Sequence, residues 1–446
     1  MIERTVITSL KAWKTKPGRK PLLLFGARQV GKTWVLRHFG DTCFEHCAYF
    51  SLDEEASVAE IFQRSKDPHR IIEQLSFLTD VPIRPQATLL ILDEIQACPE
   101  ALASLKYFCE KAPDYAVACA GSLLGIAVGH EGFSFPVGKV DHLDMYPVTF
   151  SEFLQARDRR LHAYFMGIST PEPLPQIFFD RLAEAFMAYR ICGGMPEAAA
   201  AMIDGQPQRV EEILTNILKD YALDFVKHTS PVLSNKVSHV WTSLPSQLAK
   251  ENRKFVYQVV RPGARAREYE DALLWLQRAG LIYRVSLCRE PRLPLQAYDD
   301  LSIFKVYALD IGLLRRLAGT EPDIYLAPPE QFREFRGALN ENYILQSLTP
   351  QTVHPLRYWA SGNQAELEFL VQHGNDVIPV DAKAGTSISS KSLAEYNKRF
   401  SPRLRLRYSM RNLTLDGTLL NIPLFLADRT TDLLVGIRDY LPPRMR

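Results

Sequence analysis

The chain has 446 residues, 46% of them hydrophobic, which is ample for a buried core and fits two to four domains. Its 53 basic and 51 acidic residues leave a net charge of +2, a balance that forces no conclusion about nucleic acid. No apolar run approaches ~18 residues, the length of a membrane span, and Met1 to Arg19 mixes acidic, basic and apolar residues, unlike an export signal.

The 7 cysteines are odd in number and form no CxxC pair. Cys43 and Cys47 lie close to His46, but no second ligand pair accompanies them, so free thiols in a reducing cytoplasm are expected. The basic stretch at 399–411 reads as solvated surface or as a nucleic-acid contact.

Residues 1–13 read as an amphipathic helix, and 14–20 as a polar turn. The apolar run at 21–25 ends on glycine, as a buried strand does. Trp34, Val35, Leu36 and Phe39 have helical spacing. Residues 48–52, 88–92 and 115–120 read as further buried strands, and strands alternating with helices predict a parallel α/β sheet. From 151 to about 244 the pattern is helical, broken at Gly193-Gly194-Met195-Pro196. A helix over 269–280 and a strand over 281–287 suggest a winged-helix-like segment. Pro328-Pro329 marks a boundary. A helix over 335–348 and strands over 357–360, 366–372 and 377–382 follow, the last two joined by a turn at Gly374-Asn375-Asp376. The predicted division is a core over 1–150, a helical lid over 151–244, a winged-helix-like domain over 245–327 and a C-terminal α/β domain over 328–446.

Gly26-Ala27-Arg28-Gln29-Val30-Gly31-Lys32-Thr33 matches GxxxxGK[ST] in full, between a predicted strand and a predicted helix. Glycines let the backbone curl so that its N–H groups face phosphate oxygens. Lys32 neutralises the β and γ phosphates in this reading, and Thr33 binds Mg²⁺ through its hydroxyl. The helix through Trp34 offers its positive end to the same anion. A second buried strand ends in Asp93-Glu94. Asp93 is expected in the Mg²⁺ shell, and Glu94 as the base that activates water. Ser122, after the strand at 115–120, is either a γ-phosphate sensor or a turn serine. Arg28 and Lys139 are further candidates for phosphate contact, or surface charges.

These residues resemble a large prokaryotic family of AAA-type ATPases whose C-terminal domain has restriction-endonuclease-like sequence character. The match runs through Leu92-Asp93-Glu94-Ile95-Gln96, Ala120-Gly121-Ser122, Tyr146-Pro147-Val148-Thr149-Phe150-Ser151-Glu152-Phe153 and Gly193-Gly194-Met195-Pro196-Glu197. It continues through Ala264-Arg265-Ala266-Arg267-Glu268-Tyr269, the segment from Phe304 to Leu314 and Gly337-Ala338-Leu339-Asn340-Glu341-Asn342, nearly the whole chain. The resemblance implies an ATPase core, a lid, a winged-helix-like segment and the C-terminal domain. It puts Lys32, Thr33, Asp93, Glu94 and Ser122 at nucleotide positions. Lys139 departs from it, standing where relatives usually carry arginine; lysine keeps the charge and loses the bidentate fork.

Toward the C-terminus, Glu341 on a helix, Glu368 on a strand and Asp381-Ala382-Lys383 at the end of the next strand follow the order of a nuclease site ending in (D/E)-x-K. Residues two apart on a strand share a face, so Asp381 and Lys383 reach one site. Glu341, Glu368 and Asp381 are candidate Mg²⁺ ligands, with Asp381 and Lys383 catalytic. Glu366 is an alternative to Glu368, which stands where active nucleases usually have aspartate. Three readings stay open: a metal site, a nuclease-like fold used for docking, and no nuclease relation. Arg265 and Arg267 beside Tyr269 are candidate DNA-backbone contacts, or a solvated helix start.

The expected function is ATP binding and hydrolysis with Mg²⁺, coupled to a C-terminal module acting on DNA or RNA. The alternative is a nucleotide-dependent switch that docks a protein. No membrane partner is expected, and the oligomeric state is left open.

Overall fold

The computed structural model describes residues 2–121, 135–250, 254–326, 332–362, 365–383, 390–437 and 440. It divides into two units, one of residues 3–147 with 278–281 and one of 148–277 with 282–446 and the first two residues.

In the first unit, the apolar runs become strands β1 (Leu22–Phe25), β2 (His46–Ser51), β3 (Thr88–Asp93) and β4 (Ala116–Ala120). β3 and β4 are buried along their whole length, as expected of parallel strands covered on both faces. A fifth strand, β5 (Asp141–Asp144), pairs with β1 in parallel. Its residues, Asp-His-Leu-Asp, form no apolar run, which is why no pattern announced it. The order is β2-β3-β4-β1-β5, so β4 lies between the strand that leads into the glycine loop and the strand that ends in Asp93. Helices α1 (Val6–Thr15), α2 (Lys32–Cys43), α3 (Ala56–Arg64), α4 (Pro68–Ser76) and α5 (Pro99–Lys111) complete the unit. Leu23, Phe50, Phe62, Leu90, Leu102 and Val117 belong to one continuous core.

The second unit opens with helix α6 (Phe150–Arg157). Thr149 and Glu152 form a capping box, and the half-buried Asp428 carboxylate accepts from the Ser151 N–H at 2.9 Å. Further helices include α7 (Gln176–Cys192), α8 (Pro196–Ile203), α9 (Pro207–Lys227), α10 (Pro231–Leu248) and α11 (Ala266–Arg278). Among the described residues, no helix is long and apolar enough to cross a membrane.

The Gly193-Gly194 break after α7 exists to meet a buried carboxylate. Asp310 accepts from the Gly194 N–H at 2.6 Å, from the Gln346 side chain at 3.1 Å and from the Leu313 N–H at 3.0 Å. The last of these caps helix α12 (Ile311–Leu317), and Gln346 lies on α13 (Arg333–Leu348). Burial pushes the Asp310 carboxyl upward in pKa, against the donors that stabilise its charge. Gly193 has φ +68°, and a Cβ there would overlap this carboxylate.

Among the described residues, the second unit's sheet has eight strands. The hairpin β6 (Ile282–Cys288) and β7 (Asp299–Ala308) joins β8 (Arg357–Ala360), β9 (Glu366–His373), β10 (Asp376–Ala382), β11 (Arg405–Ser409), β12 (Thr414–Asp416) and β13 (Leu419–Pro423), in the order β12-β13-β11-β10-β9-β8-β6-β7. β6 pairs in parallel with β8 through Ser286–Arg357 and Leu287–Tyr358, and Arg357 holds Asp299 at 2.9 Å. The sheet therefore runs across residue 328, where the sequence suggested a division. Strand β11 also takes Arg405 and Arg407 out of the basic stretch read as solvated surface or as a nucleic-acid contact. Arg407 is buried and donates to the Asn421 side chain at 3.0 Å.

Gly193→Ala combines a left-handed backbone with overlap of Asp310, so a loss of about 2–4 kcal/mol is expected. Gly319, at φ +67° with nothing within 4 Å of a Cβ, is the control. Gly319→Ala is expected to cost about 1 kcal/mol. Urea unfolding midpoints of the two variants measure the difference.

Candidate functional site

The chain leaves β1 and turns at Gly26, where a Cβ would overlap the Met145 carbonyl oxygen. Gln29 (φ 65°) and Gly31 (φ 94°) take left-handed conformations, and α2 starts directly at Lys32. Arg4 braces the loop, donating to the carbonyls of Val30 at 2.9 Å and Tyr146 at 2.6 Å. The buried Lys32 ammonium donates to the carbonyls of Gly26 at 2.9 Å and Ala27 at 2.8 Å. Burial lowers its pKa to about 8, against the pull of Glu94 and Asp93 and with the help of Arg28. Val30 is buried in the core, and Trp34 is 39% exposed and stacks on His38 at 4.9 Å.

β3 delivers Asp93 to this loop. The Thr33 hydroxyl donates to Asp93 Oδ2 at 2.7 Å, and the Glu94 N–H donates to Oδ1 at 3.0 Å. The Tyr49 hydroxyl also donates to Oδ2, at 3.0 Å. Glu94 stands in a left-handed turn (φ 48°), and its carboxylate accepts from the Gln96 amide. Ser122 lies outside the described residues. Lys139 pairs with Glu110 at 2.9 Å; this bond holds the lysine above and the glutamate below their ordinary pKa ranges.

The C-terminal candidates meet in a different environment. Lys383 pairs with Asp381 at 2.9 Å, at the end of β10. Glu368 accepts from the Ala382 N–H at 3.0 Å, and Glu341 accepts from the Tyr307 hydroxyl at 3.3 Å. Glu366 pairs at 2.5 Å with Lys305, a fully buried lysine of β7. Burial, then the Asp381 charge, push the Glu368 carboxyl up to about 7, against Lys305 and Lys383. Among the described residues, no group of three or more His, Cys, Asp and Glu side chains is placed to hold a metal ion. Glu341, Glu368 and Asp381, the expected ligand set, do not form such a group. A tyrosine hydroxyl, a backbone N–H and a lysine engage these three carboxylates. Arg265 and Arg267 are exposed at the start of α11, while Tyr269 is buried against His239.

Three contributors escaped the sequence reading. Arg4 gave no signal. Tyr49 stood in a buried run, where a phenol needs a polar partner. Lys305 stood alone in Phe304-Lys305-Val306-Tyr307-Ala308, where a charge inside a strand demands a counter-ion.

Residues 18–154 match the model of an AAA domain, which contains the loop, Asp93 and Glu94. Residues 183–324 and 336–425 match two domains of unknown function, DUF8612 and DUF4143. No curated protein matches the chain. Among solved structures, the Walker-type ATPase PABY2304 of Pyrococcus abyssi is 14% identical over 71% of this chain and 96% of its own, with a TM-score of 0.43. The ORC2 protein of Aeropyrum pernix is 14% identical over 73% of this chain and 95% of its own, with a TM-score of 0.33. The Thermotoga maritima RuvB Holliday junction branch migration motor is 15% identical over 66% and 91%, with a TM-score of 0.30. Likenesses this distant carry no argument about this chain. Residues 18–154 thus carry an AAA domain, which supports ATPase activity.

Glu368 supplies a pH test. Its folded pKa, about 7, lies above the ordinary glutamate value, so its stabilising share is full at low pH and is lost as pH rises through about 7. Glu368→Gln keeps an acceptor for the Ala382 N–H and removes this titration. Between pH 5 and pH 8 the wild type is expected to lose on the order of 1–3 kcal/mol more stability than the variant. Thermal melts of both proteins at the two pH values measure it.

Proposed function

We propose that this chain binds ATP with Mg²⁺ at the 26–33 loop, hydrolyses it, and uses the cycle to drive a second-unit module that engages nucleic acid. The hydrogen bond from Thr33 to Asp93, 2.7 Å long, carries the reading. A hydroxyl whose proton is already committed to a carboxylate has its oxygen lone pairs available to a cation, so Thr33 and Asp93 fit Mg²⁺ as a direct and an outer ligand. The ion would neutralise phosphate charge. Lys32, buried among backbone carbonyls, is suited to exchanging those acceptors for phosphate oxygens. Gly26 leaves the room a close backbone approach needs. Glu94, held by Gln96, serves as the base that takes a proton from water.

Exposed Arg265 and Arg267 support contact with a nucleic-acid backbone. A second reading, a nucleotide-dependent switch that docks a protein, is favoured by the C-terminal carboxylates. Asp381 and Glu366 are matched to lysines, an arrangement that suits a binding or structural role better than phosphodiester cleavage.

Phosphate release from Mg²⁺ and ATP tests the core of the proposal. Lys32→Ala is expected to reduce turnover at least ~100-fold, and Glu94→Gln to reduce it by roughly 10²–10⁴ while nucleotide binding persists. Full turnover in Lys32→Ala rejects the site.

Single-stranded DNA, duplex DNA and RNA are expected to stimulate turnover with a steep salt dependence. Replacing Arg265 and Arg267 by alanine is expected to flatten the salt slope by about 1–2. No binding to any of the three at low salt selects the docking switch.

A further inference from the structure

We infer that Tyr49 is a positioning residue for the metal–nucleotide site: it fixes the Asp93 carboxylate, and Arg37 braces it. The inference rests on the reading of Thr33 and Asp93 as the metal-holding pair.

Asp93 is buried and receives three hydrogen bonds from three parts of the unit. Thr33 of α2 donates to Oδ2 at 2.7 Å, Tyr49 of β2 to the same oxygen at 3.0 Å, and the Glu94 N–H to Oδ1 at 3.0 Å. A carboxylate on a single strand end rotates about its last bond unless its oxygens are pinned. The Glu94 N–H is the next residue in the chain, so it offers a local restraint. Thr33 is the partner whose oxygen the metal would share. Tyr49 is independent of both: it comes from the neighbouring parallel strand, two residues before Ser51, which lies opposite Asp93 in register.

The phenol is itself held. The Arg37 guanidinium lies 3.7 Å from the centre of the Tyr49 ring, a close cation–π contact. Arg37 follows Thr33 by one helical turn on α2, so one helix carries both the metal-facing hydroxyl and the brace behind the acid. The arrangement is that of an outer partner orienting a ligand of a metal site, whose loss typically costs about 10–100-fold in metal affinity or activity.

Tyr49→Phe keeps the ring and its stacking on Arg37 and removes the hydroxyl alone. Binding of a fluorescent, non-hydrolysable ATP analogue is followed by anisotropy while Mg²⁺ is titrated, and repeated in EDTA. The variant is expected to need roughly tenfold more Mg²⁺ for half-saturation, with metal-free nucleotide affinity unchanged and the melting temperature lowered by no more than the loss of one hydrogen bond. Arg37→Ala is expected to shift the Mg²⁺ midpoint the same way by a smaller factor, and to add little in the Tyr49→Phe background. A Tyr49→Phe titration that overlays the wild type overturns the role of Tyr49 and leaves the ATPase reading standing. An equal loss of metal-free and metal-dependent binding, with a lower melting temperature, also overturns it, in favour of a packing role. A wild type whose nucleotide binding ignores Mg²⁺ overturns both.

Discussion

A carboxylate removed from water must be surrounded by donors, and Asp93 meets that condition at the place where the first unit is assembled. Parallel strands all end on the same edge of the sheet, so the loop after β1 and the acid after β3 emerge side by side, with β4 between them. Two strand spacings of about 4.8 Å each separate β1 from β3, a gap that the first turn of α2 bridges. Thr33 closes it with one hydrogen bond. The buried strands, the glycine loop and the helix start thus serve one juxtaposition, a hydroxyl and an ammonium beside a fixed acid.

The second unit answers the same requirement with other partners. Asp310 gathers N–H groups from the Gly193-Gly194 break and from α12, and an amide from α13. Arg315, fully buried, pairs with Glu211 and donates to the Ile191 carbonyl at 3.0 Å. Lys305 finds Glu366 across the sheet. Removing one member of such a pair strands a charge in a poor solvent, which costs more than the pair contributes. The elements that share these groups are therefore expected to move together.

Much of this was legible in the chain, and the limits have physical causes. Loop residues 26–33 and the strand ending at Asp93 declare themselves because local sequence dictates their geometry: glycines for curvature, an unbroken apolar run for burial. The hairpin of β9 and β10 was equally clear from its turn. β5 was hidden because an edge strand of Asp-His-Leu-Asp needs no apolar pattern to pair on one side. β11 was hidden because its arginines are neutralised or hydrogen-bonded by residues more than ten positions away. The acids at 341, 368 and 381 were legible as a set, yet sequence spacing could not show that a tyrosine, a backbone N–H and a lysine engage them. Lys305 lies 61 residues before Glu366, and only the folded sheet brings the two together.

The passage of one sheet across residue 328 bears on how such a chain can be inherited. Two separate family models meet near this point, one ending at 324 and the other beginning at 336, as if the segments were exchangeable modules. The strands say otherwise: β6 and β7 complete the edge of β8, and Arg357 keeps its carboxylate on the far side of the seam. Recombination at that seam would join halves whose hydrogen-bonding edges and opposite charges had never been fitted to each other. The two segments are expected to descend as a unit, changing in step along the β6–β8 border.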